Sequence, residues 1–305
     1  MDAHERLTSE PGTDGGAVTA AAPGRSAFWG RPTTGKALLL VVGYLVFYLV
    51  VSLLVGQVFS GSIDPDDLLS SPGSILLGVA LPIAIGGAGL AWFAVRRGWW
   101  AGVVARQTVP ARRWMWIAPV LVVVAVAAHL AATDWGSWSG GQIAAIAVLG
   151  VCIGFTEELA TRGIVVKLLR DAGHRERYVV VVSSLLFALM HMVNLISGMK
   201  ASTVLATVVY AFGFGACMYL SMRLTGTVWT AIVLHALTDP TTMLATGGID
   251  TSTSSDGGGA TALALVATLA LIVFGVVAAF FVRGSAVSDG SAPSRGPDAG
   301  DRVSS

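Results

Sequence analysis

Residues 141–166 read GQIAAIAVLGVCIGFTEELATRGIVV, an apolar run broken only by Glu157, Glu158 and Arg162. A helix needs about 20 mainly apolar residues to cross a hydrocarbon layer of ~30 Å, and this stretch exceeds that length. Charged side chains at such depth are costly, commonly about 2.5–3.5 kcal/mol each on insertion scales, so their presence points to a function. Further apolar runs flank it at residues 37–59, 73–95, 114–132, 178–198, 201–222, 226–245 and 260–282. The fold class read from them is all-α, a polytopic transmembrane helix bundle of about eight spans.

The composition agrees. The chain has 305 residues, 54% hydrophobic and 12% charged. A soluble globular protein averages about 25% charged. That deficit excludes a disordered chain, an ordinary cytosolic enzyme and a nucleic-acid binder built on a basic surface. Cys152 and Cys217 sit in apolar surroundings without CxxC spacing, so neither a disulfide framework nor a zinc knuckle is expected. The first run is too long for the h-region of a cleaved signal peptide, and 36 residues of mainly polar tail precede it.

Basic residues set the expected orientation. They fall in the N-terminal tail (Arg6, Arg25, Arg31, Lys36), between the second and third spans (Arg96, Arg97, Arg106, Arg112, Arg113), and around residues 162–177. Arg223 and the C-terminal Arg283, Arg295 and Arg302 continue the same alternation, and only Lys200 falls on the other side. Eight spans with both termini cytoplasmic produce this split. Residues 1–36 and 284–305 are rich in Gly, Ser, Pro, Ala and Asp and read as disordered cytoplasmic tails around a bundle over 37–283. Residues 246–259 read as a flexible outer loop. Arg far outnumbers Lys, with heavy Ala, Val and Gly use, so a bacterial source and an inner-membrane location are expected. No inverted repeat of the transporter kind is evident.

The ionisable residues within the spans are few: Glu157, Glu158, Arg162, His191, His235 and Asp239, with His129 at an outer end. Glu158 and Arg162, spaced i and i+4, share a helical face and read as a supporting ion pair. Glu157 lies about 100° round the helix from Glu158, without an obvious partner, which suits a general base. In the fifth span Phe187 and His191 are again i and i+4, with Asn194 one step further along that face. In the seventh, His235 and Asp239 repeat the spacing, and Pro240 is expected to end or kink the helix. A carboxylate and a histidine can share a water and remove its proton. A second histidine with a polar neighbour can donate to the oxyanion formed when that water attacks a carbonyl.

The motifs EExxxR at 157–162, FxxxH at 187–191 and HxxxD at 235–239, in this order on separate spans, resemble those of the CAAX protease and bacteriocin-processing family (CPBP, also called ABI). These intramembrane endopeptidases include the type II CAAX prenyl protease. The resemblance covers about residues 141–245, a third of the chain. It implies that Glu157 and His191 activate the hydrolytic water, that His235 and Asp239 form the oxyanion site, and that Glu158 and Arg162 support them. The family often has Asn where this chain has Asp239, and an ionised Asp cannot donate to an oxyanion. Orienting His235 or binding a metal are its remaining roles, unless it is protonated.

Glu157, His191 and His235 also form a credible zinc set, as in a metalloprotease. No HExxH is present, and adjacent glutamates on a straight helix do not aim at one point, so glutamate-activated water is favoured over zinc. Gly150 and Gly154 form a GxxxG, and Gly213 and Gly215 thin the sixth span, both read as helix packing. Trp99, Trp100, Trp114 and Trp116 bracket a basic loop as an interfacial belt. His129, near Asp134, reads as structural, and Cys152 as an inert thiol.

The leading function is an endopeptidase cutting a membrane-associated peptide or protein within the bilayer, with no nucleic-acid partner. A proton-coupled transporter using the same residues as a relay is the first alternative. A non-catalytic bacteriocin-immunity or scaffold protein is the second.

Overall fold

The computed structural model describes residues 28–250 and 258–285. Most of both tails and the middle of the 246–259 loop therefore lie outside the described residues. The chain divides into two units, one ending at Arg31 and the other beginning at Pro32. Of the first, residues 28–31 form a turn in which Phe28 and Trp29 meet edge to face at 5.2 Å.

The second unit is helical. Its elements are α1 (Thr34–Val58), α2 (Ser74–Arg96), the short α3 (Trp100–Val104), α4 (Arg113–Ala132), α5 (Gly140–Asp171), α6 (Glu176–Leu195), α7 (Ala201–Thr225), α8 (Val228–Thr246) and α9 (Gly259–Phe281). Among the described residues the one β-type pairing is an isolated bridge between Arg175 and Ser285. Every apolar run of the sequence becomes a helix, within a few residues of its expected ends. Seven of these helices are long and apolar enough to cross a membrane. The expected seventh span, α8, is long enough but less apolar than these seven. Its 19 residues include five threonines, His235 and Asp239, with His235 buried on one face and Trp229, Val233 and Leu237 exposed on the other.

Local chemistry sets the boundaries. The Thr33 hydroxyl accepts from Lys36 N–H and starts α1. Ser139 and Gln142 close a capping box that opens α5. Gly226 (φ 77°) and Gly247 (φ 73°) end α7 and α8 in the left-handed conformation that a residue with a Cβ adopts only at a cost. Pro240 does not end α8, which runs on to Thr246.

Large aliphatic side chains face outward along α1, α4 and α9, among them Leu53, Val123 and Val273, each more than half exposed. An apolar surface of this extent belongs in lipid. The inner faces of α2, α5 and α8 bury Ile75, Val79, Ile146, Leu149 and Met243 in one core.

Two glycine pairs bring the helices together. A Cβ on Gly150 would lie 2.8 Å from Ala236 O, and one on Gly154 would lie 2.7 Å from Ala236 N, so α5 and α8 touch backbone to backbone. Gly213 meets Ile272 and Gly275 in the same way between α7 and α9. These glycines act as the packing devices expected of them.

Arginines at the helix ends hold structure. Arg170 grips Glu176 through two hydrogen bonds of 2.8 Å, and Tyr219 O–H donates to the same carboxylate, pinning α5 to α6 and α7. Arg223 donates to Pro110 O at 2.8 Å and to Arg283 O at 2.6 Å.

Candidate active site

The middle of α5 departs from regular α-helix immediately after the two glutamates. Residues Leu159–Val165 form a π-helical turn, a wider coil that recurs at functional sites. Glu158 and Arg162 span its start and make the expected ion pair, Oε1 to Nη1 at 2.9 Å, with both side chains sealed from solvent. Burying a guanidinium requires space and partners. The bare backbone of Gly215 on α7 supplies the space, because a Cβ there would lie 2.6 Å from Arg162 Nη2. Thr161 Oγ1 accepts from Nη1 at 2.7 Å, and the face of Phe187 lies 4.5 Å from the guanidinium carbon. Cation–π contact of this kind is strongest where water is absent.

His235, on α8, lies at the centre of the constellation and is 2% exposed. Its Nδ1 meets Glu158 Oε1 at 2.8 Å. Its Nε2 faces Asp239 Oδ2 at 3.3 Å and Glu157 Oε2 at 3.7 Å. The rings of Phe214 and Phe187 pack edge-on against the imidazole at 4.8 and 5.7 Å. The adjacent glutamates therefore both reach His235, each at its own nitrogen. Glu157, read from sequence as lacking a partner, has a loose one.

Phe187 joins the parts. One turn along α6 its carbonyl oxygen meets His191 Nδ1 at 3.2 Å, and its ring meets the His191 ring edge-on at 5.2 Å. A carbonyl cannot donate, so this hydrogen bond places the proton on Nδ1 and leaves Nε2 as an acceptor. His191 and Glu157 lie within electrostatic reach of each other, and Asp239 and Asp250 lie within reach of both. Glu158 and Arg162 are closed off, whereas the Glu157 and Asp239 side chains keep 20% and 24% of their surface exposed. The accessible edge of the cluster is thus Glu157 and Asp239, on either side of the buried His235 Nε2.

Several neighbours escaped the sequence reading. Tyr44 and Tyr48 of α1 stack at 6.4 Å and lie within electrostatic reach of Glu157. Asp250, just past α8, takes a 2.6 Å hydrogen bond from Asn194, which lies three residues beyond His191 on the same 3-10 turn. Two tyrosines four apart in an aliphatic helix are a legible signal. Asp250 had none, because it sits in a run of loop-type residues.

His129 makes no side-chain hydrogen bond to Asp134 among the described residues. Asp134 accepts from Gly136 N–H and Ser137 O–H, while His129 turns inward toward α7, α8 and α9. Cys152 and Cys217 are free thiols.

The zinc alternative can be tested on this geometry. Among the described residues no three His, Cys, Asp or Glu side chains are grouped so that they could hold a metal ion. Both His235 nitrogens already face carboxylates and His191 Nδ1 faces a carbonyl, so a Glu157, His191 and His235 set would require His235 to leave Asp239. As arranged, the residues do not fit a metal centre.

Residues 138–241 match the family model described as type II CAAX prenyl endopeptidase Rce1-like, a stretch that contains all three motifs. Over this stretch the chain is similar to the CAAX protease family. The match spans about a third of the sequence and leaves α1 to α4, the last turn of α8 and α9 outside it. No curated protein and no solved structure matches it. With seven helices among the described residues long and apolar enough to cross a bilayer, the chain is a multi-pass membrane protein, and the family it resembles over this stretch is one of endopeptidases.

Proposed function

We propose that the chain hydrolyses a peptide bond of a membrane-associated substrate, with Glu157 and His191 activating water and His235 stabilising the oxyanion. The observation that carries this reading is His235 held at both nitrogens, with Glu157 beside it on the accessible edge of the cluster.

The steps follow from the donors and acceptors present. A water between the Glu157 carboxylate and His191 Nε2 gives a proton to the carboxylate as its oxygen attacks the carbonyl carbon. The carbonyl oxygen, now negative, takes a hydrogen bond from Nε2–H of His235, which as an imidazolium also donates Nδ1–H to Glu158 and turns its Nε2–H from Asp239 toward the oxyanion. The C–N bond then breaks and Glu157 returns the proton to the departing amine. Glu158 fixes the imidazole through Nδ1, as an orienting carboxylate does. Asp239, where the family often has Asn, orients the second nitrogen and does not donate. The substrate lies in or on a bilayer, and the location we assign is a bacterial inner membrane with both termini cytoplasmic.

Glu157→Gln and His191→Asn in purified full-length protein, reconstituted in liposomes, test the reading. Each is expected to lower cleavage of bilayer-anchored peptides by at least about 100-fold, within the range that general acid–base groups contribute. Full cleavage by either variant would sink the mechanism. Proton flux across the same liposomes, lost in both variants without any cleavage by the parent, would favour a transporter instead.

A further inference from the structure

Asp239 borders a second space. A cavity of about 240 Å³ lies among α4, α7, α8 and α9, with Asp250 beside it. Its wall is mostly aliphatic, from Leu265, Leu269 and Ile272 among others. His129, 2% exposed, faces it with neither ring nitrogen hydrogen-bonded among the described residues. The buried hydroxyl of Thr268 is likewise without a partner there. Buried polar groups are nearly always satisfied, and leaving one bare typically costs about 1–3 kcal/mol. A site with several such groups is built for an occupant.

The chemistry of the lining selects that occupant. Asp239 and Asp250 commit one oxygen each, to His235 and Asn194, and each keeps a second oxygen for a further donor. The cavity is lined by no Lys or Arg. An anion would meet two carboxylates, and a purely apolar group would leave His129 and Thr268 unpaired. A primary ammonium carries three donors and no acceptor, and its alkyl stem suits aliphatic walls. Water fits the polar groups alone and fills such a space between ligands.

We infer that this cavity is a subsite for a primary alkylammonium, a lysine side chain of the substrate. This rests on the peptidase reading above. Asp239 lines the cavity and also lies 3.3 Å from His235 Nε2, so the lysine head would sit next to the groups that act on the scissile carbonyl.

Two measurements separate the subsite from the catalytic reading. The first is thermal unfolding of the purified full chain in detergent with n-pentylammonium or 1-pentanol. Saturable stabilisation by the ammonium, absent with the alcohol and weakened about tenfold by Asp250→Asn and by His129→Leu, is expected from loss of one charged hydrogen bond. Equal effects of the two compounds on the parent protein would overturn the site, whether or not the variants fold. The second is cleavage in liposomes of anchored peptides carrying Lys or norleucine at each position near the cut. A preference for Lys of at least about tenfold in kcat/KM at one position, lost in Asp250→Asn, is expected. Cleavage without that preference overturns the subsite and leaves the peptidase standing. Saturable, Asp250-dependent ammonium binding with no peptide cleaved overturns the peptidase and leaves an ammonium site.

Discussion

The buried pair of Glu158 and Arg162 gives the most discriminating test of how this site is held. Both side chains are fully enclosed, and one oxygen, Glu158 Oε1, serves Arg162 at 2.9 Å and His235 at 2.8 Å. The pair is incompletely satisfied: Glu158 Oε2 and Arg162 Nε and Nη2 have no hydrogen-bond partner among the described residues. Removing one member of a buried pair strands the other charge and costs about 3–5 kcal/mol. Arg162→Met is therefore expected to destabilise by that amount, since it also removes the cation–π contact with Phe187. Adding Glu158→Gln removes the stranded charge while the amide oxygen still accepts from His235 Nδ1. The double variant should then recover at least about 2 kcal/mol of the loss, because replacing an entire buried pair is often close to neutral. Unfolding of purified protein in mixed micelles of rising SDS fraction, followed by tryptophan fluorescence, measures each step. A double variant as unstable as the sum of the singles would refute the reasoning, since distant, uncoupled sites behave that way.

Gly154→Ala should push α8 away from α5, because its Cβ would fall 2.7 Å from Ala236 N. A loss of about 1–3 kcal/mol in the same unfolding assay is expected, with reduced cleavage as His235 moves off Glu158. Phenanthroline or EDTA applied to the reconstituted enzyme should leave cleavage unchanged, and inhibition reversed by added zinc would show that the side chains regroup around a metal. Cysteine introduced at Ser62 should react with a membrane-impermeant maleimide from outside intact cells, whereas cysteine at Arg106 should react only after lysis; the reverse pattern would invert the proposed topology.

The helical architecture was legible because lipid removes alternatives. A backbone without water must satisfy its hydrogen bonds within the segment, so long apolar runs have one outcome. The same reasoning identified Glu158 with Arg162, and His235 with Asp239, because i and i+4 neighbours meet on any helix. It could not see that α5 widens into a π-turn after Glu158, nor that Glu158 reaches across to α8. It read His129 as structural, and did not show that the helix face turns it into a cavity. It also counted α8 as a span like the others, although threonines, His235 and Asp239 make that helix less apolar than the rest.

Sequence alone therefore determined the class of the protein, the approximate extent of its helices and the short-range pairs within each one. These follow from hydropathy and from a helical period that does not depend on neighbours. Tertiary structure decided which faces meet, and so made one histidine the junction of three carboxylates from α5 and α8, sealed Glu158 and left Glu157 accessible. It also brought α1 tyrosines and Asp250 to the same centre. Those contacts depend on how closely two backbones approach, and Gly150, Gly154 and Gly215 set that distance only once their partners are in place.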